Sequence, residues 1–211
     1  MKVKNYRELC KLIAMPVKTG AAKIKQMKEV DEYITYEKSG YTYIVKDVYD
    51  KKTIKLTPLK PRDKRYKNPR NIYTRYINQI LLQILNDSPE KKLSNIDFKD
   101  ICVLLNLAEV DDNEKYVFKD IDGTVLEMTQ EQRTLSIQKM ASIIKSGLKS
   151  MVNKGYVTYF HKEREYTVYL SSSINVINLP EEEFQREKQM LHEEFIAFIK
   201  SNYLKKKGEN R

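Results

Sequence analysis

Residues 51–70 hold nine basic side chains, three prolines and one acid, Asp63, with no apolar residues at helical or alternating spacing. Proline fixes φ and removes a backbone donor, and crowded like charges repel, so this stretch reads as a linker. A 211-residue chain with such a break is expected to fold as separate modules on either side of it.

The charge follows the same division. The chain carries 39 Lys and Arg against 29 Asp and Glu, a net charge of +10. Residues 1–50 hold ten basic and seven acidic side chains, residues 51–70 nine and one, and the remaining 141 residues 20 and 21. The whole excess lies in the first 70 residues. A basic arm of Lys60, Arg62, Lys64, Arg65, Lys67 and Arg70 gains from counterion release along a phosphate backbone or in a minor groove, whereas a solvated tether is the plainer use of the same residues.

Hydrophobic residues make up 41% of the chain, enough for a packed core. No apolar run approaches the roughly 20 residues a membrane span needs, and Met1 to Met15 contains Lys, Arg, Glu and Cys where a signal peptide is apolar. The expectation is a soluble, cytoplasmic chain with no membrane partner. Cys10 and Cys102 stand among apolar neighbours as buried thiols, and with His161 and His192 they form no metal-type spacing. Phosphate-cradling Gly-Lys-Ser/Thr loops, dinucleotide-binding glycine patterns and nucleophile elbows do not occur. No catalytic, metal or cofactor residue is assigned, and the chain reads as a non-enzyme.

Before the linker, Tyr6, Leu9, Cys10 and Ile13 fall at helical spacing after a capping Asn5, and Pro16 ends the helix. A second helix follows Thr19, with Ile24, Met27, Val30 and Ile34 expected inward and Lys18, Ala22, Lys25, Gln26 and Glu29 outward. Small residues and long polar donors at a helix start suit a major groove. Two β-prone runs around Ser39-Gly40 then predict a hairpin, with Lys38 at its tip. Helix, turn, helix and hairpin in this order resemble the winged helix-turn-helix family of DNA-binding domains. Tyr6-Arg7-Glu8-Leu9-Cys10 and Lys18-Thr19-Gly20 are similar to small amino-terminal domains of phage and plasmid proteins from low-GC Gram-positive bacteria.

After the linker the order returns. Helical spacing runs from Ile72 to Leu85 and again from Leu93 to Leu107, a hairpin is expected to turn at Asp122-Gly123, and a long helix spans about Thr129 to Asn153 with Lys145 and Lys149 outward. Gly155 ends it, and two β-prone runs flank the charged tip at residues 161–165. This resembles the tandem winged-helix architecture of plasmid replication initiators. With a near-neutral sum over residues 71–211, the second module fits DNA contact through Lys145 and Lys149 or protein contact equally well. Pro180 opens a final helix whose stripe of Phe184, Leu191, Phe195 and Phe198 packs either on its own chain or on a second copy as a dimer interface.

The expected fold is therefore α+β and mostly helical. It comprises a winged helix-turn-helix domain over residues 1–50, a basic linker over 51–70, a second winged-helix-like domain over 71–173 and an amphipathic helix over 174–211. The resemblance implies a sequence-specific double-stranded DNA-binding protein, a transcription regulator or replication accessory of a phage or plasmid. Lys18, Thr19, Lys25 and Gln26 would face the groove. The rival is a winged-helix adaptor or phage-encoded inhibitor whose partner is a host protein.

Overall fold

The computed structural model describes residues 1–59 and 70–204, the side chains of residues 70–72 excepted. The fold is mixed α+β, with small sheets and, among the described residues, six α-helices. It divides into two compact units, Met1–Lys55 with Ser172–Ile177, and Leu56–Ser171 with Asn178–Arg211.

The first unit runs β1 (Lys2–Val3), α1 (Tyr6–Leu12), α2 (Gly20–Val30), β2 (Ile34–Ser39), β3 (Thr42–Val48) and β4 (Lys52–Lys55). Asn5 caps α1 by accepting from the Glu8 amide at 3.1 Å. The β2–β3 hairpin turns through Gly40, at φ 58°, a conformation that only glycine adopts cheaply. The sheet order is β1-β3-β2. Val3, Tyr6, Leu9, Cys10, Val30, Ile34, Tyr43 and Val45 form its core.

The start of the expected linker is strand. β4 pairs in parallel with β10 (Ile174–Ile177), in register from Lys52 opposite Ile174 to Lys55 opposite Ile177. Lys51 Nζ donates to Ser172 O at 2.9 Å, and Lys55 Nζ to the Asp31 and Ile34 carbonyls at 3.0 Å each. Their charges thus satisfy local carbonyls, and the partner strand lies too far along the sequence to be seen in a local pattern.

The second unit runs α3 (Arg70–Asp87), β5 (Lys92–Asp97), α4 (Phe98–Leu104), β6 (Glu109–Val110), β7 (Tyr116–Val117), α5 (Gln130–Asn153), β8 (Val157–Lys162), β9 (Glu165–Leu170) and α6 (Glu181–Ile199). Its main sheet has the order β5-β9-β8. Residues 93–107 are not one helix. The first part is a strand paired with β9, and Asp97 then caps α4 reciprocally with Asp100, their amides and carboxylates meeting at 2.8 and 3.0 Å. The hairpin expected at Asp122-Gly123 is reduced to a bridge between Lys119 and Val125, because Tyr116–Val117 pairs back onto Glu109–Val110. Asp120 and Asp122 accept local donors there, the Ile121 amide and the Thr124 amide and hydroxyl.

Long helix α5 starts at the expected cap, where Thr129 and Gln132 bond reciprocally at 2.8 and 3.2 Å. Gly147 lets α3 approach: a Cβ there would stand 2.5 Å from Ile77 Cγ2. The Asn78 carboxamide bridges the same crossing, donating to Gly147 O at 3.0 Å and accepting from Ser150 Oγ at 3.2 Å.

The dimer stripe on α6 is corrected by its burial. Phe184, Leu191 and Phe195 are buried within the second unit, Phe195 against Phe118, and Phe198 lies half-buried beneath the Lys139 ammonium. Burying such a side chain stabilises by about 1.5–3 kcal/mol, so withdrawing the stripe to meet a second copy would cost that much for each. Glu187 is buried on the same helix, its carboxylate accepting from the Leu59 amide at 2.6 Å and the Gln79 amide at 2.7 and 2.8 Å. Desolvation holds its carboxyl above the ordinary range against those bonds. Both cysteines are buried free thiols.

Candidate nucleic-acid interface

In the first unit, α1 meets the start of α2 through residues 13–19, and the β2–β3 hairpin stands opposite. Between them opens a cleft of about 720 Å³. Arg7, Lys18, Lys23 and Lys38 line it together with Asn5, Thr19, Tyr41 and Tyr43, and no carboxylate does. None of these four cations has an ion-pair partner among the described residues. Clustered unpaired cations in a concave wall raise the local potential for an anion well above what the unit's net charge implies.

The turn that brings Val17, Lys18 and Thr19 into the cleft lining is held by one side chain. Gln26 is 1% exposed. Its Nε2 donates to Pro16 O at 2.6 Å, and its Oε1 accepts from the Lys18 amide at 3.2 Å and from the Tyr6 hydroxyl. This corrects the sequence expectation: Gln26 is not on the outward face and is not free to meet a base edge. Ile24 is misplaced in the opposite sense, at 69% exposed, and Ile34 begins β2 rather than ending a helical stripe. The inward face of α2 is set by Gln26 and Val30 four residues apart, which hydrophobicity alone does not reveal because the first of them is polar.

Of the other expected contacts, Lys18 and Lys38 line the cleft, and Thr19 does so as the residue before α2, its side chain making no cap bond. Lys25 is exposed on α2 outside the cleft lining. Lys60, Arg62, Lys64, Arg65 and Lys67 lie outside the described residues, and Arg70 opens α3 with its side chain likewise outside the description. Lys145 and Lys149 are exposed on α5 of the second unit, one turn apart and with the exposed Ser146 between them. Arg7, Lys23 and Tyr41 were not expected. Lys23 and Arg7 carry the same charge signal as their neighbours, but only the turn geometry brings helix starts and hairpin tip together.

Two lining tyrosines are committed to the fold. Tyr6 has its hydroxyl on Gln26 and its ring under Lys23 Nζ, 4.6 Å from the centroid, and burial raises its pKa. Tyr43 packs edge-on against Tyr36 at 5.2 Å.

Among the described residues no group of three or more His, Cys, Asp or Glu is placed to hold a metal ion. Among them, too, no helix is long and apolar enough to cross a membrane. No protein-family model, curated protein or solved structure matches the chain.

Proposed function

We propose that the protein binds double-stranded DNA through its first unit, as a winged-helix regulator or replication accessory. The observation that carries this reading is the cleft itself, with Arg7, Lys18, Lys23 and Lys38 on its walls, free of ion pairs among the described residues, and no carboxylate in the lining. The order strand, helix, helix, hairpin supports it, because that order sets a helix start beside a hairpin tip, the pair of elements that spans a groove and its flanking phosphates. Exposed Lys145 and Lys149 on α5 supply a further phosphate-facing surface in the second unit.

The test is a titration of labelled duplex DNA with the full chain at several salt concentrations. Affinity is expected to fall steeply with salt, and Lys18→Ala with Lys23→Ala is expected to lower the slope of log K against log salt by about 2, roughly one for each phosphate left without its lysine. Salt-insensitive binding, or no binding at low salt, overturns the reading.

A further inference from the structure

We infer that the cleft of the first unit receives a single unstacked nucleotide of the bound DNA, its phosphate against the cations and its base on the ring of Tyr41. This rests on the DNA-binding reading and goes beyond it, since binding to phosphates alone requires no unstacking.

Three observations carry the inference. The first is size. A backbone phosphate needs only a shallow concavity, whereas about 720 Å³ falls within the roughly 300–1,000 Å³ of sites that hold whole small ligands, a nucleotide included. The second is composition. The lining joins four cations to aromatic surface and lacks a carboxylate, which is the pairing of an electrostatic track with a stacking platform that single nucleotides require.

The third is Tyr41. The other two lining tyrosines are 8% and 6% exposed and occupied by Gln26, Lys23 and Tyr36, while Tyr41 is 92% exposed, with no ring or hydrogen-bond partner among the described residues. It follows Gly40 at the hairpin turn, so the ring is held out on a short, paired support. A bare aromatic ring at the mouth of a cationic cleft offers a π-face to any base that leaves the duplex stack. Unstacking costs a few kcal/mol in a paired duplex and least where the nucleotide is already unpaired. The cleft therefore favours DNA with a melted or bulged position.

The experiment measures affinity of the full chain for a fully paired duplex and for the same duplex with one bulged 2-aminopurine nucleotide, at fixed salt. The bulge is expected to tighten binding by about tenfold, with quenching of the 2-aminopurine emission. Tyr41→Ala is expected to abolish the preference for the bulged duplex and its quenching, and Tyr41→Phe to keep both, since stacking needs the ring and not the hydroxyl. Equal affinity for the two duplexes, or a gain that survives Tyr41→Ala, overturns the inference while leaving DNA binding intact. Failure to bind either duplex overturns both readings together. Free deoxyadenosine monophosphate is the third arm: millimolar nucleotide that leaves the bulged complex intact fits the inference, whereas nucleotide binding that Tyr41→Ala abolishes, with no preference for the bulged duplex, assigns the cleft to a free nucleotide and overturns it.

Discussion

The two units share an order of elements and differ in what holds the helix before the hairpin. In each, an early strand, a helix or pair of helices and a hairpin follow one another, and the sheet runs first strand, last strand, middle strand. Helix α2 buries only Gln26 and Val30, and residues 20–25 are exposed throughout. Helix α5 buries seven residues from Ser136 to Met151 and meets α3 closely at Gly147. The same order thus yields a helix presented to solvent, fixed by a polar side chain at its turn, and a helix that serves as a spine. Presentation suits contact and the spine suits rigidity, which is why the reading of function rests on the first unit.

That contrast can be broken most forcefully in the second unit. Phe195→Ala is expected to lower stability by about 3–5 kcal/mol, the range for emptying a fully buried aromatic site. Chemical denaturation followed by circular dichroism measures it, and the midpoint of the native chain is expected not to depend on protein concentration; a concentration-dependent midpoint would restore the dimer role of α6. In the first unit, Gln26→Leu is expected to cost less, about 1–3 kcal/mol, by leaving Pro16 O, the Lys18 amide and the Tyr6 hydroxyl without their partner. Here the discriminating readout is DNA affinity, expected to fall even where the fold persists, because the turn that places Lys18 in the cleft lining loses its polar anchor. Unchanged affinity would show that the turn is set by apolar packing alone.

The smallest effect is electrostatic. Because burial raises the Glu187 carboxyl above its unfolded value, the folded state holds that proton more tightly, so this residue's contribution is most favourable below the ordinary glutamate range and is lost as pH rises through the raised value. Glu187→Gln is neutral throughout, and its stability relative to the native chain is expected to improve with rising pH in urea titrations. A gap that stays flat with pH would mean that the hydrogen bonds from Leu59 and Gln79 fully offset the desolvation.

Much of the fold is legible where the determinants are local. Asn5 and Thr129 mark helix starts, Gly40 and Gly155 mark turns, and the tips of the β2–β3 and β8–β9 hairpins stand where the sequence predicts. The failures share a cause, namely partners far away in sequence. Leu93 and Ile96 satisfy a helical spacing, yet β5 is a strand because β9, about seventy residues on, pairs with it. Lys52–Lys55 reads as linker because its neighbour in the sheet comes some 120 residues later. The cleft is half legible: its charges can be counted, but Gln26 reads as a surface donor until the backbone groups it satisfies are seen, and nothing local announces Tyr41 as a bare ring at a cation-lined mouth.

The parallel pairing of β4 with β10 also orders events in time. A ribosome releases the chain from its amino terminus at about 5–20 residues per second, and amino-terminal domains commonly fold while the rest is still being made. Here β4 has no β10 to pair with until Ile177 has emerged, so the first unit begins early and is completed late, after most of the second has been synthesised. A pairing of such long range carries a large loop-closure entropy and forms slowly. The module proposed to face DNA would therefore mature late, sealed by a strand made long after its own hairpin.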